Sequence, residues 1–241
     1  MSELATDREQ LIAENRVLYE ASLSFYDPES EHHSMEGHIL PVCVDSRIIA
    51  NKCMAKGHVL DIMVVDANSF LHDADSHKPL KSYGFKTVER RSASIARRTL
   101  PTLGLGYTSD QVKQVSGDII TTANGMIPTT KTGVVLNRAD INNVGDATPE
   151  FLKVSVRVAR EYLRLNRQPI NHETIRCWLE MAPPFLSGLV EDEPDIPGFD
   201  LSEILEEKIP FRDRAIANIE YLGNISVARF LSLVRLDRRS S

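Results

Sequence analysis

The stretch Asp61 to Asp73, DIMVVDANSFLHD, decides how this chain is read. Asp61 has a side chain suited to capping a helix N-terminus, and Ile62, Met63, Val64, Val65, Ala67, Phe70 and Leu71 then make a short, strongly apolar run. The run predicts a buried helix that ends at His72 and Asp73 before a polar loop, ADSHKPLKSYGF. Taken alone, the pair has an ordinary explanation, a satisfied core histidine beside a helix-terminal aspartate. Neighbouring side chains on a regular helix point about 100° apart, so the two can serve one ion only where the geometry is special. A helix terminus supplies that geometry.

Outward from this segment the pattern stays helical. Asp7 to about Ala21 reads as a partly amphipathic helix, and about Glu36 to Ala55 as another, with Pro41 in or near its first turn and His38 near its start. Lys86 to Leu100 precedes Pro101, and Ser109 is read as the cap of a helix carrying Val112, Val115, Ile119 and Ile120, ended by Asn124-Gly125. The sequence KTGVVLNRADINNVGD from Lys131 is expected to be helical over its second half. Thr148-Pro149-Glu150 opens a helix with Phe151, Val154, Val158 and Tyr162 on one face. A helix from Asn171 is expected to stop near Met181, before Pro183-Pro184; an acidic loop, EDEPDIPGFD, and a last helix over roughly Arg212 to Arg235 follow. The organisation expected is residues 1–168 as one helical bundle and 169–241 as a C-terminal helical extension.

Composition agrees with an all-α fold. The chain has 241 residues, 42% hydrophobic and 26% charged, enough to bury a core, and only 6% aromatic, which favours helices over a β-sandwich. With 28 Lys+Arg against 34 Asp+Glu the net charge is −6, so no overall positive field draws it to nucleic acid or anionic lipid. Cys43, Cys53 and Cys177 fit no paired framework and are expected to be buried thiols. The charged N-terminus lacks the apolar centre of a signal peptide, and no stretch approaches the ~18 uncharged residues of a membrane span. A cytoplasmic location without membrane attachment is therefore expected.

Four candidate ligands stand out: His38, His72, Asp73 and, within NRADINN, Asp140. Imidazole and carboxylate donors together suit one divalent ion of the Mn, Fe, Co, Ni, Zn or Mg type, and a bundle brings ligands from distant segments into one interior. This ordered set resembles the H…HD…D signature of the HD-domain metal-dependent phosphohydrolases. FLHDAD resembles that family's apolar HD segment, ERRSASIARRTL its Glu-x-x-Ser-Ala helix, DIITT its Ile-x-x-Thr helix and RADINNVGD its last-aspartate helix. The resemblance covers about Leu18 to Asn166. It departs from the pattern at Val88, where many small members have histidine, and only His77 lies between the HD pair and Asp140. The resemblance therefore implies an HD-domain helical bundle with one metal and four protein ligands.

The activity implied is hydrolysis of a small phosphorylated substrate, such as a nucleotide, by hydroxide generated on the ion. Asp73 would both ligate and orient the water, Asp75 and His77 would act as acid or base, and Lys78 and Lys81 would neutralise phosphate. Each of these loop residues has an equally simple reading as solvated surface. Arg90, Arg91, Arg97 and Arg98 read as an exposed helix face, and Asp118 either supports the ligands or faces solvent. His32, His33 and His58 read as solvated, His33 close enough to His38 to approach a substrate; His172 and Trp178 read as structural. Rival functions are a metal-dependent oxygenase or lyase on the same scaffold, and a non-catalytic, metal-stabilised interaction module. The apolar stripe of the last helix could serve a homodimer.

Overall fold

The structure is a computed structural model describing residues 2–78, 84–190 and 196–236, with side chains from residue 8 onward. Lys81 and the acidic residues 191–195 lie outside the described residues. The expected all-α bundle is the observed architecture: the described residues form helices and turns with no strand. They gather into two compact units, Met1–Asp140 with Pro194–Glu206, and Ile141–Glu193 with Glu207–Ser241.

In the first unit, α1 (Ser2–Glu14) and α2 (Arg16–Ser22) replace the single helix expected to start at Asp7, which lies inside α1. The break falls at Asn15, whose φ of −112° and ψ of 27° leave the helical region. A π-helical turn, Met35–Ile39, runs into α3 (Leu40–Ala55), where Pro41 sits in the first turn. The deciding stretch forms α4 (Ile62–Leu71), with Asp61 Oδ1 accepting from Met63 N at 3.0 Å and Val64 N at 3.4 Å. α5 (Val88–Thr99) is capped by Thr87, and α6 (Ser109–Ile120) by Thr108. The capping box uses Thr108 and Gln111; Ser109 is the first helical residue. α7 (Lys131–Asp140) takes the first 10 residues of KTGVVLNRADINNVGD, correcting the expectation of a helix over its second half, where a 3-10 turn, Asn142–Gly145, follows.

α3 packs on α4 and α7, and α4 also packs on α6 and α7, so α4 is the central rod of this unit. Val64, Val65, Ala67, Phe70 and Leu71 are all buried in its core, as an apolar run without a polar face requires. Arg47 on α3 grips the buried Asp66 of α4 through Nε at 2.8 Å and a second guanidinium nitrogen at 2.5 Å. Burial raises the Asp66 carboxyl pKa even against that partner.

The second unit has its own core. Its helices are α8 (Thr148–Leu165), α9 (His172–Val190), α11 (Phe211–Asn224) and α12 (Val227–Leu236), while α10 (Leu201–Ile204) belongs to the first unit. The division falls at 140/141 instead of the 168/169 boundary expected from pattern, because the apolar face of α8 packs with α9, α11 and α12. α9 continues through Pro183 and Pro184, correcting the expected stop near Met181. The expected last helix is two, parted at Ile225 by extended backbone with ψ of 135°. Trp178 is buried, stacked on Phe230 with ring centroids 5.0 Å apart, whereas Cys177 is exposed, correcting the expectation that all three thiols are buried. No helix of the described residues is long and apolar enough to cross a membrane.

Candidate metal centre

His38, His72, Asp73 and Asp140 meet in the first unit. The π-helical turn before α3 delivers His38, the C-terminal end of α4 delivers His72 and Asp73, and the last residue of α7 delivers Asp140. His38 Nε2 lies 2.9 Å from Asp140 Oδ1 and 3.2 Å from His72 Nε2. His72 Nε2 is 3.4 Å from Asp140 Oδ1, and Asp73 Oδ2 is 3.7 Å from His38 Nε2 and 3.8 Å from His72 Nε2. His72 is fully buried and His38 nearly so.

This donor set fits a divalent ion. His72 Nδ1 lies 2.9 Å from the Ser69 carbonyl, which can only accept, so Nδ1 carries the proton and the lone pair of Nε2 is turned toward the other three groups. Two imidazole Nε2 atoms then face each other at 3.2 Å beside two carboxylates, an arrangement that one cation satisfies at once. The carboxylates that would face an ion also favour a proton on the imidazole. Burial opposes a charge on His72, but Asp140 and Asp73 outweigh it and hold the imidazole pKa up to about 9. Burial likewise penalises the Asp140 carboxylate, yet His72 and His38 keep its pKa well below the usual range.

The wall of the centre contains His32 and His33, correcting the expectation that both are solvated. His33 Nε2 stands 3.7 Å from Asp73 Oδ2, and His32 is buried with its ring centroid 4.7 Å from that of His38. They are seated by Gly37: a Cβ there would lie 2.7 Å from the His32 carbonyl oxygen and 2.8 Å from Ser34 Oγ, which itself accepts from Gly37 N at 3.0 Å. The run HHSMEGH held the signal, a glycine between closely spaced histidines, but periodicity does not reveal a π-helical turn.

After the HD pair the chain turns sharply. Asp75 has a φ of 63°, and its Oδ1 accepts from Lys78 Nζ at 2.5 Å, so these two residues engage each other within one turn. His77 is partly buried, and its pKa is lowered by burial and by Lys78. Arg91 is not an exposed cation: it is 1% exposed, donating to the carbonyls of Asp75 and, at 2.8 Å, of Lys78. Arg90, Arg97 and Arg98 are exposed as expected. Asp118 does not face solvent. Its carboxylate accepts from Thr130 Oγ1 at 2.5 Å, Thr132 Oγ1 at 2.6 Å and Asn68 Nδ2 at 2.8 Å, tying α6 to the helices that carry His72 and Asp140.

No family model matches this chain, and no curated protein matches it. Among solved structures it is similar to the phosphodiesterase domain of the Salpingoeca rosetta rhodopsin phosphodiesterase, with a TM-score of 0.57 and 13% identity. The similarity covers 100% of this chain and 91% of that one, and it is a likeness of fold.

Proposed function

We propose that this chain is an HD-type, metal-dependent phosphohydrolase acting on a small phosphorylated substrate, nucleotides included. The observation that carries the reading is the meeting of His38, His72, Asp73 and Asp140 from three separate helical segments. The fold likeness to a phosphodiesterase domain supports it. His38, His72, Asp73 and Asp140 would hold one divalent ion. When bound, such an ion supplies Lewis acidity to a phosphoryl oxygen and makes coordinated water more acidic.

The chain's own residues do the rest. Ser69 holds His72 in the tautomer that presents Nε2, and Asp73 and Asp140, each partly exposed, are the members of the cluster that water can reach. His33, about a third exposed and beside Asp73, can hold a proton for a departing oxygen. Lys78, also about a third exposed, lies at the same loop but is held by Asp75, so it would contribute charge nearby more than a direct grip on phosphate.

The test is elemental analysis of purified protein, then a screen of phosphorylated metabolites with the metal restored. Wild type is expected to carry one divalent ion per chain and to release phosphate from at least one substrate. His72→Ala and Asp73→Ala are each expected to lose the ion and the activity; full metal content in either folded variant refutes the assignment. Metal-dependent oxygen uptake without phosphate release would favour the oxygenase reading.

A further inference from the structure

We propose that Arg91 is a positioning residue for the metal centre, acting through the backbone of the turn that follows Asp73. The proposal rests on the metal-binding reading above. Among the described residues, the Asp73 carboxylate meets only imidazoles, so its direction depends on how its backbone is held. That backbone leaves α4 into a sharp turn: Ser76 N donates to the Asp73 carbonyl at 3.0 Å and Lys78 N to the Asp75 carbonyl at 2.9 Å. Asp75 is left-handed although it is not glycine, a conformation that an L-residue keeps only where its surroundings enforce it.

The enforcement comes largely from α5. Arg91, one turn into that helix, donates to the carbonyls of both Asp75 and Lys78, while Ser92 Oγ lies 3.1 Å from the carbonyls of both Ala74 and Val88 and shares its one hydrogen between them. A third tether, Asp75 N to the Phe25 carbonyl at 3.0 Å, fixes the other side. A guanidinium can satisfy two carbonyls at once because its donors form a rigid fork; an ammonium is a point donor. Burying that charge is costly, and two of the bonds that offset the cost go to the turn carrying Asp75 and Lys78. The placement serves the direction of Asp73, and through it the binding of the ion.

The experiment titrates the chelator-stripped full chain with Zn²⁺ and with Co²⁺, recording affinity and the cobalt absorption spectrum. The variants are Arg91→Met, Arg91→Lys, Ser92→Ala and, as a stability control, Arg47→Met, which removes the partly exposed guanidinium that grips the buried Asp66. Arg91→Met is expected to weaken metal binding by about 10- to 100-fold and alter the cobalt bands, Arg91→Lys and Ser92→Ala to do so to a smaller degree. Arg47→Met is expected to lower the melting temperature and leave affinity and bands as in wild type. Should Arg91→Met fail to fold, Arg91→Lys and Ser92→Ala decide: wild-type affinity and spectrum in both overturns the proposal. So does a loss in Arg47→Met equal to that in the Arg91 variants, since affinity would then merely follow stability. A wild-type chain that takes up neither metal overturns the metal-binding reading and this proposal together; metal uptake with unaffected Arg91 variants overturns the positioning role alone.

Discussion

His72 and Asp118 show what burial demands of a polar side chain. His72 has no exposed surface, and both its ring nitrogens are engaged, one by a backbone carbonyl and the other by His38. Asp118 meets three donors, yet burial still raises its pKa above 3.8. Raising a carboxyl pKa in the fold means that the folded state binds the proton more tightly than the unfolded chain. The resulting stabilisation is present below the unfolded pKa and is lost as pH rises through the folded one. Asp118→Asn keeps the shape, but its amide nitrogen leaves one of the three donors without an acceptor. It is expected to cost about 1–3 kcal/mol near pH 7 by urea denaturation. The deficit is expected to widen on acidification toward about pH 4, because the variant cannot gain the proton. A deficit that shrinks with acid would show that the three donors favour the charged form more than burial opposes it.

At the scale of elements, the site depends on a π-helical turn ahead of α3 and the far ends of α4 and α7. Gly37→Ala would press a methyl group onto the His32 carbonyl, which belongs to the same loop as His33. It is expected to cost roughly 1–3 kcal/mol of stability and to weaken zinc binding, because His38 sits on the next residue. Thermal melts and zinc titration check it; unchanged affinity would show that the turn absorbs the methyl without moving His38. Much of this was legible in the sequence. The cap at Asp61, the apolar run and the HD pair read directly into α4, and the order of His38, His72-Asp73 and Asp140 matched groups that the structure brings together. What could not be read has physical causes. A proline pair does not end α9 when its surroundings support the helix, and Arg91 looked like surface charge because composition cannot show two backbone carbonyls waiting for it.

At the scale of the whole molecule, the described residues form two hydrophobic cores, one in each compact unit. Cys43 and Cys53 are buried in the first, where burial raises the pKa of both thiols, and Cys177 is exposed on α9 in the second. A thiol reagent applied to native protein is therefore expected to modify one cysteine quickly and two slowly, the slow pair reporting opening of the first core. Zinc at about 100 times its dissociation constant is expected to stabilise that unit by about 2.7 kcal/mol and slow those two reactions accordingly, leaving the fast one unchanged. Equal slowing of all three would mean that zinc acts well beyond the unit that holds His38, His72, Asp73 and Asp140. The stacking of Trp178 on Phe230 adds a convenience of its own. This is the only indole in the chain and it lies in the second core, so its ultraviolet emission is a native beacon for that half, while a visible cobalt colour would belong to the other. Without a single attached dye, the two halves can be watched separately.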